Sequence, residues 1–266
     1  MVDKSEKFSW LVRVGYFARA VLYILLGYVA LSSAQEISEG TDGVFKAVEN
    51  LPGGIAILWI MAVGLVGYAL FRFASTVFDI ENNGTDKIGW AKRIGHAGSG
   101  IGHLALAWGA FQFASAAGGS EGGGAQAVAA GVLSTEFGGP VLGLLGLVFF
   151  AVAVFQAKKG ITGEFMHRIA AGAPSITRLL GGFGYCARGV VYAVIGWSLV
   201  RAGFMSAGAE QVRTLGDALA GLAGQGAIFT VTAIGLLVFG IFSFILAWYR
   251  IIPELDADGR VPDFRS

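Results

Sequence analysis

The chain has 266 residues, of which 55% are hydrophobic and only 14% are charged, and its formal net charge is +1. Soluble globular domains carry about 25% charged residues, so this composition favours a membrane protein, and the small net charge excludes the basic field that attracts nucleic acid. A single cysteine, Cys186, excludes an intramolecular disulfide and a zinc or iron–sulfur site built on cysteines.

Six segments are long and apolar enough to be spanning helices, which need about 20 mostly apolar residues. They lie at residues 10–33, 56–79, 94–117, 138–157, 184–204 and 227–250. Helices are expected because a bilayer offers no partner for unpaired backbone groups, and the period-2 alternation of a membrane barrel is absent. The first segment ends in Ser32-Ser33-Ala34, which resembles a signal-peptide cleavage site. Because the fifth segment repeats its phrase deep in the chain, the first is interpreted as a span.

Lysine and arginine are distributed asymmetrically between the two sides of these spans. They concentrate at both termini and in the second and fourth connections, whereas the other side carries only Lys46, Arg201 and Arg213, and the third connection, AAGGSEGGGAQ, carries neither residue type. Since loops rich in lysine and arginine stay in the cytoplasm, we predict a multi-pass inner-membrane protein with cytoplasmic N- and C-termini.

One phrase occurs three times, once in each odd-numbered span. It reads GYFARAVLY from Gly15, GHAGSGIGH from Gly95 and GYCARGVVY from Gly184. The even-numbered spans align as GLVGYALFRFASTVFD from Gly64, GLLGLVFFAVAVFQAK from Gly143 and IGLLVFGIFSFILAWYR from Ile234. Internal similarity at a fixed period indicates a repeat architecture.

A short amphipathic stretch separates the two spans of each repeat, and we expect it to form a short interfacial helix on the outer side. The three stretches are FKAVENLPGG, AQAVAAGVLSTEFGG and LGDALAGLAGQG. Each repeat holds two spans, so all three insert in the same orientation, as parallel repeats do. The sequence therefore predicts an all-α integral membrane fold, a single domain over residues 1–266, with six transmembrane helices in pseudo-threefold arrangement. Its repeats cover residues 8–82, 90–160 and 178–252.

The repeated two-helix unit, and the phrase G-Y-x-A-R-x-V-x-Y in particular, resembles the bacterial membrane family known as domain of unknown function 1206. The resemblance covers about residues 8–250. The first and third units match it well, whereas the second has Ser99 in the arginine position and His96 and His103 in the tyrosine positions. The resemblance implies a polytopic inner-membrane protein and carries no reaction or substrate.

Arginines inside the spans are the first group of candidate functional residues. Tyr16, Arg19 and Tyr23 share one helix face, since they are spaced i, i+3, i+7, and Arg188 occupies the matching place in the fifth span. Three roles stay open for these arginines: capping the C-termini of neighbouring helices on the cytoplasmic side, contact with lipid phosphate, or a substrate pathway. Arg72 enters from the cytoplasmic end of the second span, and we expect Asp79 to be its ion-pair partner.

The second group is the polar face of the third span, formed by His96, Ser99 and His103. A neutral histidine in this position can pack and hydrogen-bond, relay a proton, or ligate a metal or haem. A bis-histidine haem needs ligands from two facing helices, and the remaining histidine, His167, lies in the fourth connection. Tyr23 and Tyr192 are deep enough in their spans to hydrogen-bond across helices. We predict no metal site and no cofactor.

No motif of a soluble enzyme is present. The glycine cluster GGSEGGG lacks the Lys and Ser/Thr of a phosphate loop, and neither G-x-S-x-G nor H-E-x-x-H occurs, so no catalytic residue is assigned. The sequence favours a non-enzymatic membrane protein that packs lipid, a partner membrane protein or further copies of itself. The alternative is a small-solute or ion transporter, with a path lined by the Tyr, His and Ser faces of the odd-numbered spans, His96, Ser99, His103, Tyr23 and Tyr192 among them.

Overall fold

The structure is a computed structural model, and it describes residues 4–32, 37, 39–81, 83–115 and 124–252. Most of the glycine-rich third connection and the C-terminal Arg260 and Arg265 lie outside the described residues. The described helices are α1 (Lys4–Ser32), α2 (Gly40–Glu49), α3 (Gly54–Val77), α4 (Lys87–Ala114), α5 (Gly124–Leu133), α6 (Gly138–Thr162), α7 (Thr177–Phe204), α8 (Leu215–Ala220) and α9 (Ala227–Tyr249). Three 3₁₀ turns lie at Glu164–Arg168, Ala209–Gln211 and Ala223–Gln225.

Five of the six long helices are apolar enough to cross a membrane: α1 from Ser9 onward, α3, α6, α7 and α9. The third predicted span falls on α4, which has 28 residues but is not one of these five apolar helices. The reason is visible in its sequence, where His96, Ser99, His103 and Gln112 interrupt the apolar residues.

The six long helices pack side by side in an arc, in the order α4, α3, α1, α9, α7, α6. Neighbours along the arc run antiparallel. The two end helices, α4 and α6, do not pack on one another along their described lengths. In α6 only 28% of the most apolar stretch is buried, against 44–61% in the other four apolar helices, as expected for a helix with a neighbour on one side only.

Glycine permits the close approach of α1 to α3 and of α7 to α9. A Cβ placed on Gly15 would lie 2.8 Å from the Cα of Tyr68, and one on Gly184 would lie 2.8 Å from the Cα of Phe239. Real Cβ atoms do not come this close, so a larger residue would force the helices apart. The first and third copies of the repeated phrase thus use the same glycine to seat the even-numbered helix of their own repeat.

The short helices α2, α5 and α8 occupy the three amphipathic stretches. They lie at the end of the bundle opposite to the start of α1 and the end of α9, which we call the opposite end. Helix α8 begins with a capping box between Thr214 and Asp217, and its Gly216 amide donates to Thr41 Oγ1 of α2 at 3.1 Å. Burial, with the carboxylates of Asp217 and Glu39, raises the pKa of Asp42 above its ordinary value.

Candidate functional site

Arg19 of α1 lies in the centre of the arc and is 2% exposed. Its Nε donates to Ser243 Oγ of α9 at 3.2 Å, and its Nη1 donates to the hydroxyl of Tyr68 of α3 at 2.5 Å. Its guanidinium carbon lies 4.6, 4.9 and 5.0 Å from the ring centroids of Tyr16, Tyr68 and Phe239. One arginine therefore joins three helices through hydroxyls and aromatic faces.

Arg188 of α7 lies in a related setting and is 7% exposed. It donates to the hydroxyl of Tyr192, one turn further along its own helix. Its guanidinium carbon lies 4.6 Å from the ring centroid of Phe239 and 5.4 Å from that of Tyr23. Arg188 and Arg19 therefore both lie against the ring of Phe239, with their guanidinium carbons 4.6 and 5.0 Å from its centroid.

Neither guanidinium has a carboxylate partner, because the described long helices hold no acidic residue within the apolar stretches. Arg19 Nη2 and Arg188 Nε are buried without a hydrogen-bond acceptor in the described part of the chain. Both groups lie against aromatic rings, whose negative faces attract a cation by about 2 kcal/mol when water is excluded. The aromatic rings occupy the space around these cations, so the two arginines are integral to the packing between helices.

A second cluster surrounds Glu81, in the connection between α3 and α4. Its side chain is 5% exposed and pairs with three arginines. Oε1 accepts from Arg72 at 3.2 Å and from Arg250 at 2.7 Å, and Oε2 accepts from Arg168. His96 Nε2 lies 3.2 Å from Oε2. The carboxylate thus joins α3, α4, the α6–α7 connection and the end of α9.

Positive charge exceeds negative charge in this Glu81 cluster, which holds three guanidiniums and one carboxylate. Burial, with a smaller contribution from Arg250 and Arg72, lowers the pKa of Arg168 to about 10. Arg72 also donates to the hydroxyl of Tyr68 through Nε at 2.9 Å and Nη2 at 2.6 Å. Tyr68 therefore links the Glu81 cluster to Arg19.

The predicted partner of Arg72 was wrong. Asp79 instead accepts from the backbone amides of Asn83 and Gly84, at 2.9 and 2.8 Å, and holds its own connection in shape. Asp79 has a φ of 46°, in the left-handed region that Asp and Asn tolerate better than most residues. The carboxylate that meets Arg72 is Glu81, two positions further on.

Helix C-termini are capped by arginines other than those expected. Arg13 Nη1 donates to the carbonyls of Ala247 and Trp248 at the end of α9, at 2.9 and 2.6 Å. Arg93 donates to the carbonyls of Thr76 and Val77 at the end of α3, at 2.7 and 2.9 Å. Arg19 and Arg188 lie too deep for this role.

The two histidines of α4 have different surroundings. Arg72 Nη1, a donor only, lies 3.2 Å from His96 Nδ1, so Nδ1 accepts and Nε2 carries the proton that faces Glu81. His103 is 5% exposed, its ring lies 4.5 Å from that of Tyr68, and its Nδ1 donates to the carbonyl of Ser99 at 2.7 Å. His103 Nε2 has no hydrogen-bond partner among the described residues.

The structure thus brings Arg19, Arg72, His96 and His103 together around Tyr68 and Glu81, and places Arg188 against Tyr23, Tyr192 and Phe239. Tyr68, Glu81, Phe239 and Ser243 were not identified from the sequence. A signal existed for Tyr68, since Tyr68 and Arg72 are four residues apart in the even-span phrase and share a helix face. In the described part of the chain, no three His, Cys, Asp or Glu side chains converge as a metal site would need.

Comparison with known proteins places the chain in a family. The chain matches the family described as Domain of Unknown Function (DUF1206) over three segments, residues 14–79, 94–163 and 183–250. It is similar to the uncharacterized protein YxxB of Bacillus subtilis (strain 168), with 30% identity over 260 residues, covering 93% of this chain and 94% of that protein. No solved structure matches this chain. The chain therefore belongs to the DUF1206 family, and it is an internally repeated, helical, multi-pass membrane protein.

Proposed function

We propose that the chain is a non-enzymatic inner-membrane protein that assembles with further copies of itself, with α4 of one copy packing on α6 of another. In this proposal α4 is the sixth span, both termini are cytoplasmic, and the three repeats follow a pseudo-threefold arrangement that is split at repeat two. At 1.5 Å per residue, a helix of 28 residues is about 42 Å long, more than the roughly 30 Å of a bilayer core.

The observation that carries the proposal is the unused helix surface of repeat two. In repeat one, a Cβ on Gly64 would lie 2.4 Å from Ala18 Cβ, and in repeat three, one on Gly235 would lie 2.3 Å from Ala187 Cβ. By alignment, the corresponding contact of repeat two would join Gly143 to Gly98, but a Cβ on Gly143 would lie 2.4 Å from the ring of Phe204 of α7. A Cβ on Gly98 would meet nothing within 4 Å.

Gly95, one turn before Gly98, also lacks the partner that its counterparts have. Gly15 seats Tyr68 and Gly184 seats Phe239, whereas Gly95 seats nothing, and its expected partner Leu147 is 51% exposed. Every glycine of the six long helices would place its Cβ against a neighbour, except three glycines on α4: Gly95, Gly98 and Gly102. Glycine faces of this kind drive helix association in lipid.

One feature favours a second copy over bulk lipid. The repeat pattern pairs the glycine face of α4 with α6, whose Leu147 is 51% exposed. Two arcs related by a twofold axis along the membrane normal would bring each α4 against the α6 of the other copy, which is an isologous contact.

Disulfide cross-linking tests this arrangement. In a Cys186→Ser background, one tagged copy carries Gly95→Cys and a second copy carries Leu147→Cys, and the two are co-expressed in membranes. The expected result is a cross-linked dimer that contains both tags, since Cα atoms of a close pair lie about 5.5–6 Å apart in a disulfide. The control pairs Leu147→Cys with Ala56→Cys, at an exposed small residue of α3, and should not cross-link.

The other outcomes are also informative. A cross-link formed only when both cysteines are on one chain would mean that α4 and α6 close within a monomer. No cross-link at all would mean that lipid fills the space between them. Either result would overturn self-assembly through this surface.

A transport function is the second candidate, and one observation favours it. A hydrogen-bonded series runs from Glu81 through Arg72 and Tyr68 to Arg19, and His103, whose Nε2 has no described partner, lies against Tyr68. Proton flux into liposomes should fall in His103→Ala and persist in His167→Ala, which alters an exposed histidine of the α6–α7 connection. Equal flux in both variants, or none in the parent, would remove this candidate.

A further inference from the structure

A pocket of about 270 Å³ lies at the opposite end of the bundle, between the last turns of α7, the α7–α9 connection and the first turn of α9. Two arginines reach it from different elements, Arg201 from α7 and Arg213 from the connection. Two amide side chains, Gln211 and Gln225, also line it. The pocket therefore combines two cationic groups with neutral hydrogen-bonding groups.

The positive charge of this pocket is not neutralised by any residue that the structure describes. No acidic residue lines it, and neither arginine forms an ion pair in the described part of the chain. Arg213 Nη1 donates to a backbone carbonyl, that of Asp217, at 2.9 Å. The Asp217 carboxylate is bound to Thr214 at 2.7 and 2.9 Å, and the Glu210 carboxylate lies against Gly208.

Apolar residues complete the lining of the pocket, together with Ser198 and Gly221. Trp197 and Ile228 are 50% and 55% exposed, although both line the pocket. Tryptophan is enriched where a membrane protein crosses the lipid headgroup region. The site thus has a cationic part and an apolar part side by side, which matches the phosphate and acyl chains of a lipid.

We propose that this pocket binds the phosphate group of an anionic phospholipid. The guanidiniums of Arg201 and Arg213 hold the phosphate oxygens, since the planar fork of arginine matches phosphate geometry. The amides of Gln211 and Gln225 hydrogen-bond to the glycerol headgroup, and an acyl chain lies along Trp197. This lipid site is separate from the surface of α4 and α6 on which self-assembly rests.

The test uses the full-length protein in a neutral detergent, titrated with phosphatidylglycerol and followed by thermal unfolding. We expect phosphatidylglycerol to raise the Tm of the parent and phosphatidylcholine not to do so. The double variant Arg201→Gln, Arg213→Gln should bind at least about tenfold more weakly, since two charge-assisted contacts are lost. Arg178→Gln at the other end of the bundle should keep the response of the parent. The double lysine variant at the same positions should keep part of it, because its charge remains but the planar fork is lost.

Two further arms decide the source of the phosphate and guard against a misfolded variant. Inorganic phosphate or glycerol 3-phosphate that stabilised the parent as well as the lipid would assign the pocket to a soluble ligand and overturn the lipid proposal. Equal responses of the parent and the double glutamine variant would overturn it as well. Brominated phosphatidylglycerol should quench the tryptophan fluorescence of the parent more than that of Trp197→Phe. Equal quenching in the two proteins would place the lipid elsewhere.

Discussion

Replacing Glu81 with glutamine tests whether its cluster stabilises the packing of α3, α4, the α6–α7 connection and the end of α9. Glutamine keeps the shape of the side chain and removes its charge, which leaves Arg72, Arg168 and Arg250 without an acid. Glu81 is 5% exposed, and Arg72 and Arg250 are 15% and 10% exposed, so these two pairs are largely shielded from water. Breaking a buried ion pair from one side costs about 3–5 kcal/mol. Arg168, at 36% exposed, adds little because solvent screens it.

We therefore expect Glu81→Gln to lower the free energy of unfolding by about 3–5 kcal/mol. The measurement is reversible unfolding in mixed detergent and SDS micelles, followed by circular dichroism. Asp79→Asn is the matched control, since it removes a carboxylate from the same connection that has no arginine partner, and it should cost about 1 kcal/mol. A Glu81→Gln cost no larger than that of Asp79→Asn would refute the reasoning.

Three further predictions concern single residues of the helices. Arg19→Leu should lower stability by about 2 kcal/mol, because it removes two hydrogen bonds and three cation–π contacts. Asp42→Asn should raise the Tm at pH 7, since its raised pKa means that the folded state disfavours the charged form. That gain should vanish as the pH falls below the ordinary pKa of 3.8. Gly15→Ala should cost about 1–3 kcal/mol by overpacking, whereas Gly95→Ala, measured on the dissociated monomer, should gain about 0.5–1 kcal/mol from helix propensity.

Each of these three predictions has a measurement that checks it and a result that would contradict it. For Arg19, detergent Tm values are compared with Arg178→Leu, an exposed site, and equal values would remove the packing role. For Asp42, the difference in Tm from the parent is followed from pH 3 to pH 7, and a constant difference would exclude titration as its cause. For the glycines, equal losses in both alanine variants would mean that α4 is covered at Gly95 in the monomer.

Much of the helical framework could be predicted from the sequence because it depends on composition and local pattern. Long apolar runs, the thrice-repeated phrase and the short amphipathic stretches are properties of contiguous residues. Helices occur at all six predicted spans, and only the third, α4, falls short of the apolarity of the rest. The polar residues that cause this, His96 and His103, were themselves visible in the sequence.

Side-chain partners could not be predicted, because they depend on which helices meet. Glu81 is a polar residue in a connection, and no spacing rule distinguishes it from Asp79. Its role follows only when Arg168 and Arg250, far away in sequence, come to the same place. Helix capping, one of the three roles left open for Arg19, is excluded for a related reason: its position along α1 does not show that aromatic rings of α3 and α9 surround it.

The separation of α4 from α6 in repeat two also explains why the thrice-repeated phrase carries an arginine in only two of its copies. Arg19 reaches Tyr68, and Arg188 reaches Phe239, and these two aromatic residues are the ones seated on Gly15 and Gly184. In repeats one and three, the arginine and the glycine of the odd-numbered span therefore contact the same residue of the even-numbered span. Repeat two has Ser99 in place of the arginine and Leu147 in place of the aromatic residue. Serine has no cation to place on a ring, and leucine has no ring to receive one, so this unit lacks the contact that binds its two helices in the other repeats. The unit that lost the arginine is the one whose helices stand apart.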